Sequence, residues 1–247
     1  MKRGIEILKF VLLLGVLVFL FSFGKKRNER RKLTKVEIEF VDGNEPFITH
    51  KTVNKLLIQK EVELTGIGKE GLVLKEMEKR LRENPMIREA EVYVTIDGVL
   101  GAKIVQRDPI GRVATQRSGP DYYLDAEGKK MPLSQVYSAR VPIVTGITES
   151  DGDQLAPLLL KIREDEFMQS MVVGLNKSSS GEVEMELRKS DIKILFGPPT
   201  HIDRKFQNFK AFYKKTKQDS TLFGYDKINL KFENQVIATK KEGYGKR

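Results

Sequence analysis

Cysteine and tryptophan are absent from this sequence of 247 residues, and histidine occurs only at His50 and His201. Without cysteine, the chain can form no disulfide and offers no thiol nucleophile, no cysteine ligand for zinc and no attachment for an iron–sulfur cluster. Two histidines are too few for a histidine-rich metal site. We therefore expect neither a metal nor a cofactor.

The sequence also lacks the short motifs of common active sites. It contains no glycine-rich phosphate loop, no nucleophile elbow and no HExxH pair. The side chains closest to a catalytic arrangement are Asp121, Asp125 and Glu127, and separately His201 with Asp203. The first group is typical of a solvated turn, and the second lies at a predicted helix start, where the helix dipole favours an acid. The sequence indicates a protein that is not an enzyme and takes no small-molecule substrate.

The net charge of +10 is unevenly distributed. Residues 1–35 contain ten basic and two acidic residues, so this short stretch carries eight of the ten excess positive charges. A nucleic-acid-binding domain spreads its basic groups over a folded face, whereas these charges bracket an apolar run. The distribution favours a lipid bilayer as partner and argues against nucleic acid.

Residues 7–23 form the apolar run and predict a single transmembrane helix, since about 17 residues span roughly 26 Å. No small-residue cleavage site follows, which favours an anchor over a cleaved signal peptide. Residues 1–6 would be a short cytoplasmic head and residues 24–35 a basic juxtamembrane segment. The residues predicted to lie at the membrane surface are Lys25, Lys26, Arg27, Arg30, Arg31 and Lys32. By the positive-inside rule, the basic residues that follow the apolar run would place the folded part in the cytoplasm. The rule weakens for long translocated domains, so the flanking charge leaves the orientation open.

A first folded domain is predicted over residues 36–108. Apolar and polar residues alternate over 36–41, which predicts a strand, and Thr49 can cap a helix that extends to about residue 59. A second helix is predicted from about residue 69 to 83, before Pro85. Two strands follow on either side of an Asp-Gly turn, which gives the order β-α-α-β-β.

A strand-rich second domain is predicted over residues 109–240, followed by a flexible tail over 241–247. Short alternating segments separated by turn residues predict its strands. Two helices interrupt them, at about 151–169 and 200–217, and the second carries an apolar stripe that would face the sheet. The fold class is therefore α+β.

Several segments resemble one known family. The β-α-α-β-β module is similar to the POTRA domain, a scaffold that docks extended polypeptides. Residues 84–92 (NPMIREAEV) and 103–110 (KIVQRDPI) resemble the bacterial cell-division family FtsQ/DivIB, and further similar motifs follow in the family's order at 122–128, 141–146, 195–197, 201–206 and 225–232. The chain is identified as a member of this family on these motifs.

The resemblance implies a non-enzymatic divisome scaffold that regulates septal peptidoglycan synthesis. It implies an amino terminus in the cytoplasm, and folded domains on the extracytoplasmic side of the bacterial plasma (inner) membrane at the division septum. FtsB/FtsL-like proteins would be the partners of the β domain, and other divisome proteins those of the POTRA domain. A POTRA-type assembly factor for outer-membrane or secreted proteins is the alternative.

The last strands are the predicted partner-binding site. A terminal strand often lies at a sheet edge and can accept a strand from another chain, although residues 236–239 could equally just close the sheet. In the resembled family, the partner FtsB adds a strand here. The resemblance implies that Phe232 is the aromatic residue at this interface and Lys231 its basic neighbour. It also implies that Lys205 or Arg204 is the basic helix position that pairs with an acid of the partner. The predicted residues are Lys205, Arg204, Asn229, Lys231, Phe232, Asn234, Val236, Ile237, Ala238 and Thr239.

Overall fold

The computed structural model describes residues 2–29, 35–41, 46–58, 70–115, 119–232 and 235–242. The chain divides into two compact units, Met1–Gln106 and Arg107–Arg247. Each unit has its own cluster of buried apolar side chains.

The amino-terminal segment is a helix, α1 (Lys2–Glu29), which contains the predicted transmembrane residues 7–23. Apolar side chains from Phe10 to Phe23 are exposed along it. In the part of the chain that the structure describes, however, no helix is both long and apolar enough to cross a membrane.

The rest of the first unit has the predicted β-α-α-β-β order. Its elements are β1 (Lys35–Phe40), α2 (His50–Leu57), α3 (Glu70–Arg82), β2 (Ile87–Val94) and β3 (Val99–Gln106). The sheet order is β1-β3-β2, with β1 parallel and β2 antiparallel to the central strand. Thr49 caps α2 as predicted, because its side chain accepts a hydrogen bond from the Thr52 N–H at 3.1 Å. Buried residues of the two helices pack against the sheet, among them Val53, Leu57, Met77 and Leu81.

The described strands of the second unit form one nine-stranded sheet. They are β4 (Pro109–Val113), β5 (Tyr122–Asp125), β6 (Lys130–Pro132), β7 (Ile143–Thr145), β8 (Val172–Lys177), β9 (Val183–Leu187), β10 (Lys193–Gly197), β11 (Tyr225–Asn229) and β12 (Ile237–Lys240). Their order is β12-β11-β10-β9-β8-β7-β4-β5-β6, so β12 and β6 are the two edges.

The described residues of the second unit form three α-helices: α4 (Gly152–Glu164), α5 (Glu166–Met171) and α6 (Ile202–Gln218). The predicted single helix over 151–169 is two helices. At Asp165 the backbone becomes extended, and its carboxylate accepts a hydrogen bond from the Met168 N–H at 3.1 Å, which starts α5. On α6, Phe206 and Phe209 belong to the same core as Phe196 of β10.

Candidate partner-binding edge

The last described strand, β12, has one side on which no described strand pairs. Among the described strands, β12 pairs only with β11, antiparallel, with Ile237 opposite Asn229 and Thr239 opposite Lys227. Beyond the strand, the Lys241 N–H donates to the Gly224 carbonyl at 2.8 Å, so residue 241 faces β11. Because backbone groups alternate in direction along a strand, those of Thr239 and Ile237 face β11 and those of Ala238 and Lys240 face outward. This edge presents hydrogen-bonding groups to another chain.

The side chains of β12 divide between two faces of the sheet. Val236 and Ala238 pack against the core of the second unit, whereas Thr239 is exposed and 43% of Ile237 is exposed. The alternation is what a strand with one buried face requires. It leaves Ile237 and Thr239 as the side chains that a partner strand would meet on the open face.

A bend after β11 presents Phe232. The Asn229 side chain accepts a hydrogen bond from the Lys231 N–H at 3.0 Å, which turns the chain and ends the strand at Asn229. Lys231 forms an ion pair with Glu182 at 2.6 Å between Nζ and Oε2. Phe232 is 46% exposed, which makes its ring available for an apolar contact.

Lys205 and Arg204 lie in very different surroundings. Lys205 is only 4% exposed, and its Nζ donates to the carbonyls of Phe196 at 2.9 Å and Pro198 at 2.7 Å. Burial lowers the pKa of Lys205 below its usual value. Arg204 is exposed. Of the two predicted basic residues, Arg204 is therefore the one whose side chain lies at the surface.

Gly197 lies in a turn between Phe196 and Pro198, the two residues whose carbonyls accept hydrogen bonds from Lys205. Its φ of 77° is in the left-handed region, and a Cβ at this position would lie 2.9 Å from the Lys231 side chain. The turn joins β10 to the segment that leads into α6. The buried ammonium group of Lys205 thus has a structural role, because it satisfies carbonyl oxygens that follow the strand.

Phe223 is an exposed aromatic residue that the sequence analysis missed. It lies in a short 3-10 turn, Leu222–Gly224, directly before β11, and is 70% exposed. The bond between Lys241 and Gly224 brings this turn beside the end of β12. In the sequence, the sign of this site was a large aromatic residue between a predicted helix and an alternating segment. The fold is needed to show that the Phe223 side chain remains exposed.

Some predicted site residues cannot be placed. Asn234 lies outside the described residues, as do Arg30, Arg31 and Lys32. Lys25, Lys26 and Arg27 belong to α1, but their side chains are not among those described. Their roles at a partner interface or a membrane surface remain predictions.

The acids near β5 are held in ion pairs. Asp121 accepts a hydrogen bond from Arg112 at 3.0 Å, and this bond lowers the pKa of Asp121. Buried Asp125 pairs with Arg107 at 2.6 Å and also accepts two backbone N–H groups of its turn. The pKa of Glu127 is lowered first by its hydrogen bond to Lys129. These contacts account for the three carboxylates as stabilising groups of a turn.

His201 and Asp203 both lie at the start of α6. His201 precedes α6 with a φ of 53°, and Asp203 forms an ion pair with Lys161 of α4 at 3.1 Å. Across the described residues, no group of three or more histidine, aspartate or glutamate side chains could hold a metal ion.

Comparison with known families matches both units. Residues 108–239 match the profile described as FtsQ/DivIB, C-terminal related, and residues 31–105 match that of the POTRA-like domain.

Two relatives are both named cell division protein FtsQ. The chain is 33% identical over 200 residues to the protein from Geotalea daltonii, covering 74% of this chain and 70% of the relative. It is 24% identical over 174 residues to the protein from Salinibacter ruber, covering 64% of this chain and 66% of the relative. The matches therefore span about two thirds of each relative's length.

A solved structure of the major extracytoplasmic domain of the cell division protein DivIB from Geobacillus stearothermophilus also aligns. Its TM-score is 0.30 at 12% identity, covering 46% of this chain and 96% of that one, and this overlap is too low to support a fold assignment. The family match over more than half of the chain, and the 33% identity to a relative, are sufficient by themselves. The chain belongs to the FtsQ/DivIB family.

Proposed function

We propose that this protein is a non-enzymatic scaffold of the bacterial division machinery, which binds an FtsB/FtsL-like partner by adding the partner's strand to β12. The observation that carries the proposal is the open edge of β12, where the backbone groups of Ala238 and Lys240 face outward. A scaffold of this kind links early and late division proteins and so regulates septal peptidoglycan synthesis. The relatives named as cell division proteins favour this role over that of an outer-membrane assembly factor.

Backbone hydrogen bonds would supply much of the affinity, and side chains would supply the selectivity. On the open face, the partner strand meets Ile237 and Thr239. Phe232, after β11, and Phe223, before it, offer exposed rings near the two ends of the strand pair. Aromatic residues of this kind often carry a large share of binding energy, whereas exposed ion pairs, such as one at Arg204, contribute about 0–1 kcal/mol.

The proposal includes attachment to the bacterial plasma (inner) membrane through α1. Its support is the run of exposed apolar side chains from Phe10 to Phe23 and the basic residues that follow them in the sequence. The amino terminus would lie in the cytoplasm, with both folded units outside it at the division septum. The POTRA-like unit would engage other divisome proteins.

Proline at Ala238 tests the strand edge. Ala238→Pro removes an outward N–H that a partner strand would use, while the hydrogen bonds of Thr239 and Ile237 to β11 stay available. We expect the amount of FtsB/FtsL-like protein that co-purifies with the full chain from dividing cells to fall about tenfold, which corresponds to about 1.4 kcal/mol. Ala238→Ser, which keeps the N–H, is the matched control and should retain the partner.

Urea unfolding of the same variants separates loss of binding from loss of folding. The free energy of unfolding of Ala238→Pro should lie within about 1 kcal/mol of that of the wild-type protein, as expected for a change at an edge position. A folded Ala238→Pro protein that still captures the full amount of partner would place the interface elsewhere. Absence of FtsB/FtsL-like chains from the wild-type preparation would contradict the proposed function itself.

A further inference from the structure

A cleft between α5 and the second half of α6 has an apolar floor and a basic rim. Its volume is about 570 Å³, and it is lined by Phe167, Lys210, Tyr213, Lys214, Lys217 and Gln218. On α6, Lys210 precedes Tyr213 and Lys214 by three and four residues, and Lys217 follows them by four and three, which places all four on one side of the helix. The cleft shares no residue with the β12 edge.

The floor of the cleft is fixed by aromatic packing. The rings of Phe167 and Tyr213 are 5.1 Å apart in an edge-to-face arrangement. Phe209, which is buried in the core, lies 6.0 Å from Phe167 and 6.1 Å from Tyr213. The Phe167 and Tyr213 side chains thus pack against the buried Phe209 ring and are themselves half-buried. A preformed apolar hollow of this kind accepts an inserted side chain at little conformational cost.

The rim carries uncompensated positive charge. Lys210 forms an ion pair with Asp165, but Lys214 and Lys217 are exposed and form no ion pair among the described residues. The Nζ of Lys217 is 5.9 Å from the centre of the Tyr213 ring. Two ammonium groups therefore stand beside an apolar hollow, and their complement is a negatively charged segment with an apolar side chain in its middle.

We propose that this cleft docks an acidic segment of another protein, which places one aromatic or aliphatic side chain in the hollow above the Phe167 and Tyr213 rings while its carboxylates pair with Lys214 and Lys217. The concave shape decides between this occupant and a bilayer. A membrane surface is bound by apolar side chains that project from the protein, whereas here the apolar groups form the bottom of a hollow. The site is independent of the strand edge and goes beyond the proposed function.

A set of fluorescent seven-residue peptides tests the proposal. Each carries aspartate and glutamate on both sides of a central residue, which is phenylalanine, leucine or alanine. Binding to the full chain in mild detergent is followed by fluorescence anisotropy. We expect the peptides with phenylalanine or leucine to bind at least tenfold more tightly than the alanine peptide.

Charge reversal in the chain gives the second comparison. Lys214→Glu/Lys217→Glu should weaken binding of the phenylalanine peptide at least tenfold. Lys193→Glu/Lys215→Glu makes the same charge change at two exposed lysines outside the cleft and should retain binding within about threefold, because only long-range attraction is lost. Ala238→Pro should bind the peptide like the wild-type protein, which separates this site from the strand edge.

The position of the bound peptide gives a third readout. With benzoylphenylalanine at its centre, the peptide should cross-link to residues 166–171 or 210–218. Cross-links elsewhere, equal weakening by both double variants, or failure of every peptide to bind would overturn the proposal. So would binding of the wild-type protein to phosphatidylglycerol vesicles that is lost in Lys214→Glu/Lys217→Glu while no peptide binds, since the occupant would then be a lipid surface.

Discussion

Lys205 places an ammonium group inside the second unit, where it donates hydrogen bonds to the carbonyls of Phe196 and Pro198. Lys205→Met keeps most of the apolar stem but leaves both oxygens without this donor. We expect the free energy of unfolding to fall by about 1–3 kcal/mol, the usual cost of unsatisfied buried groups. Urea denaturation measures the change. Gln207→Met, at an exposed position on the same helix, is the control and should change stability by less than about 0.5 kcal/mol.

Asp151 gives a prediction about pH. Its pKa is lowered first by a hydrogen bond from Lys177, at 2.8 Å, and then by the Thr148 N–H. Between this lowered pKa and the ordinary value of 3.8, the unfolded chain binds more protons than the folded chain. The stabilisation is therefore complete above that ordinary value and is lost as the pH falls through the folded pKa.

Asp151→Asn removes this contribution. At pH 7 we expect the variant to be less stable than wild type by about 1–2 kcal/mol, and the gap should narrow as the pH falls below 4. Asp153→Asn, which removes a carboxylate at an exposed position in the first turn of α4, is the control and should lower the stability at pH 7 by less than about 0.5 kcal/mol. A difference between wild type and Asp151→Asn that stays constant from pH 7 to pH 3 would contradict the assignment.

The burial of an individual side chain could be predicted from the sequence only where its spacing from apolar residues placed it on the apolar face of a helix. Lys205 follows Ile202 by three residues and precedes Phe209 by four, so it lies on the apolar stripe of α6, and this spacing could have indicated burial. The carbonyls that compensate its charge come from the end of β10, which no local pattern connects to α6. Phe223 shows the converse, since its sequence context does not reveal whether neighbouring elements cover it.

At the scale of the element, the order and type of the POTRA-like strands and helices followed from periodicity, because each has a clear apolar face. The interruption of the predicted helix over 151–169 did not follow, because apolar residues continue on both sides of Asp165. The start of β11 at Tyr225 and its end at Asn229 depend on side-chain and sheet contacts that alternation alone does not report. Above all, an edge strand can be recognised only when the whole sheet order is known.

The helix α1 carries its own prediction. Deletion of residues 2–29 should move the protein from the sedimenting membrane fraction to the soluble fraction, because the exposed apolar run from Phe10 to Phe23 would be gone. Immunoblotting of fractions before and after carbonate extraction measures this. A full-length protein that carbonate releases completely would contradict stable anchoring through α1.

At the scale of the whole molecule, the described part of the chain combines a POTRA-like unit, a nine-stranded sheet with β12 and β6 at its edges, and an amino-terminal helix with exposed apolar side chains. The family and the sequence of the modules could be predicted because several short motifs occur in the right order over most of the chain. From the sequence, the predicted partner-binding surface could be assigned only to the last strands of the second unit. Which backbone groups face outward follows from the register of β11 with β12, a contact that depends on the folded sheet.

Photocrosslinking from β12 in dividing cells tests the central claim most directly. Benzoylphenylalanine at Thr239, an exposed position on the open face of the edge strand, should capture an FtsB/FtsL-like division protein, identified by mass spectrometry. The same group at Val136, which is exposed elsewhere in the second unit, serves as the control and should not capture it. Equal capture from both positions, or capture from Thr239 of envelope proteins unrelated to division, would contradict the account.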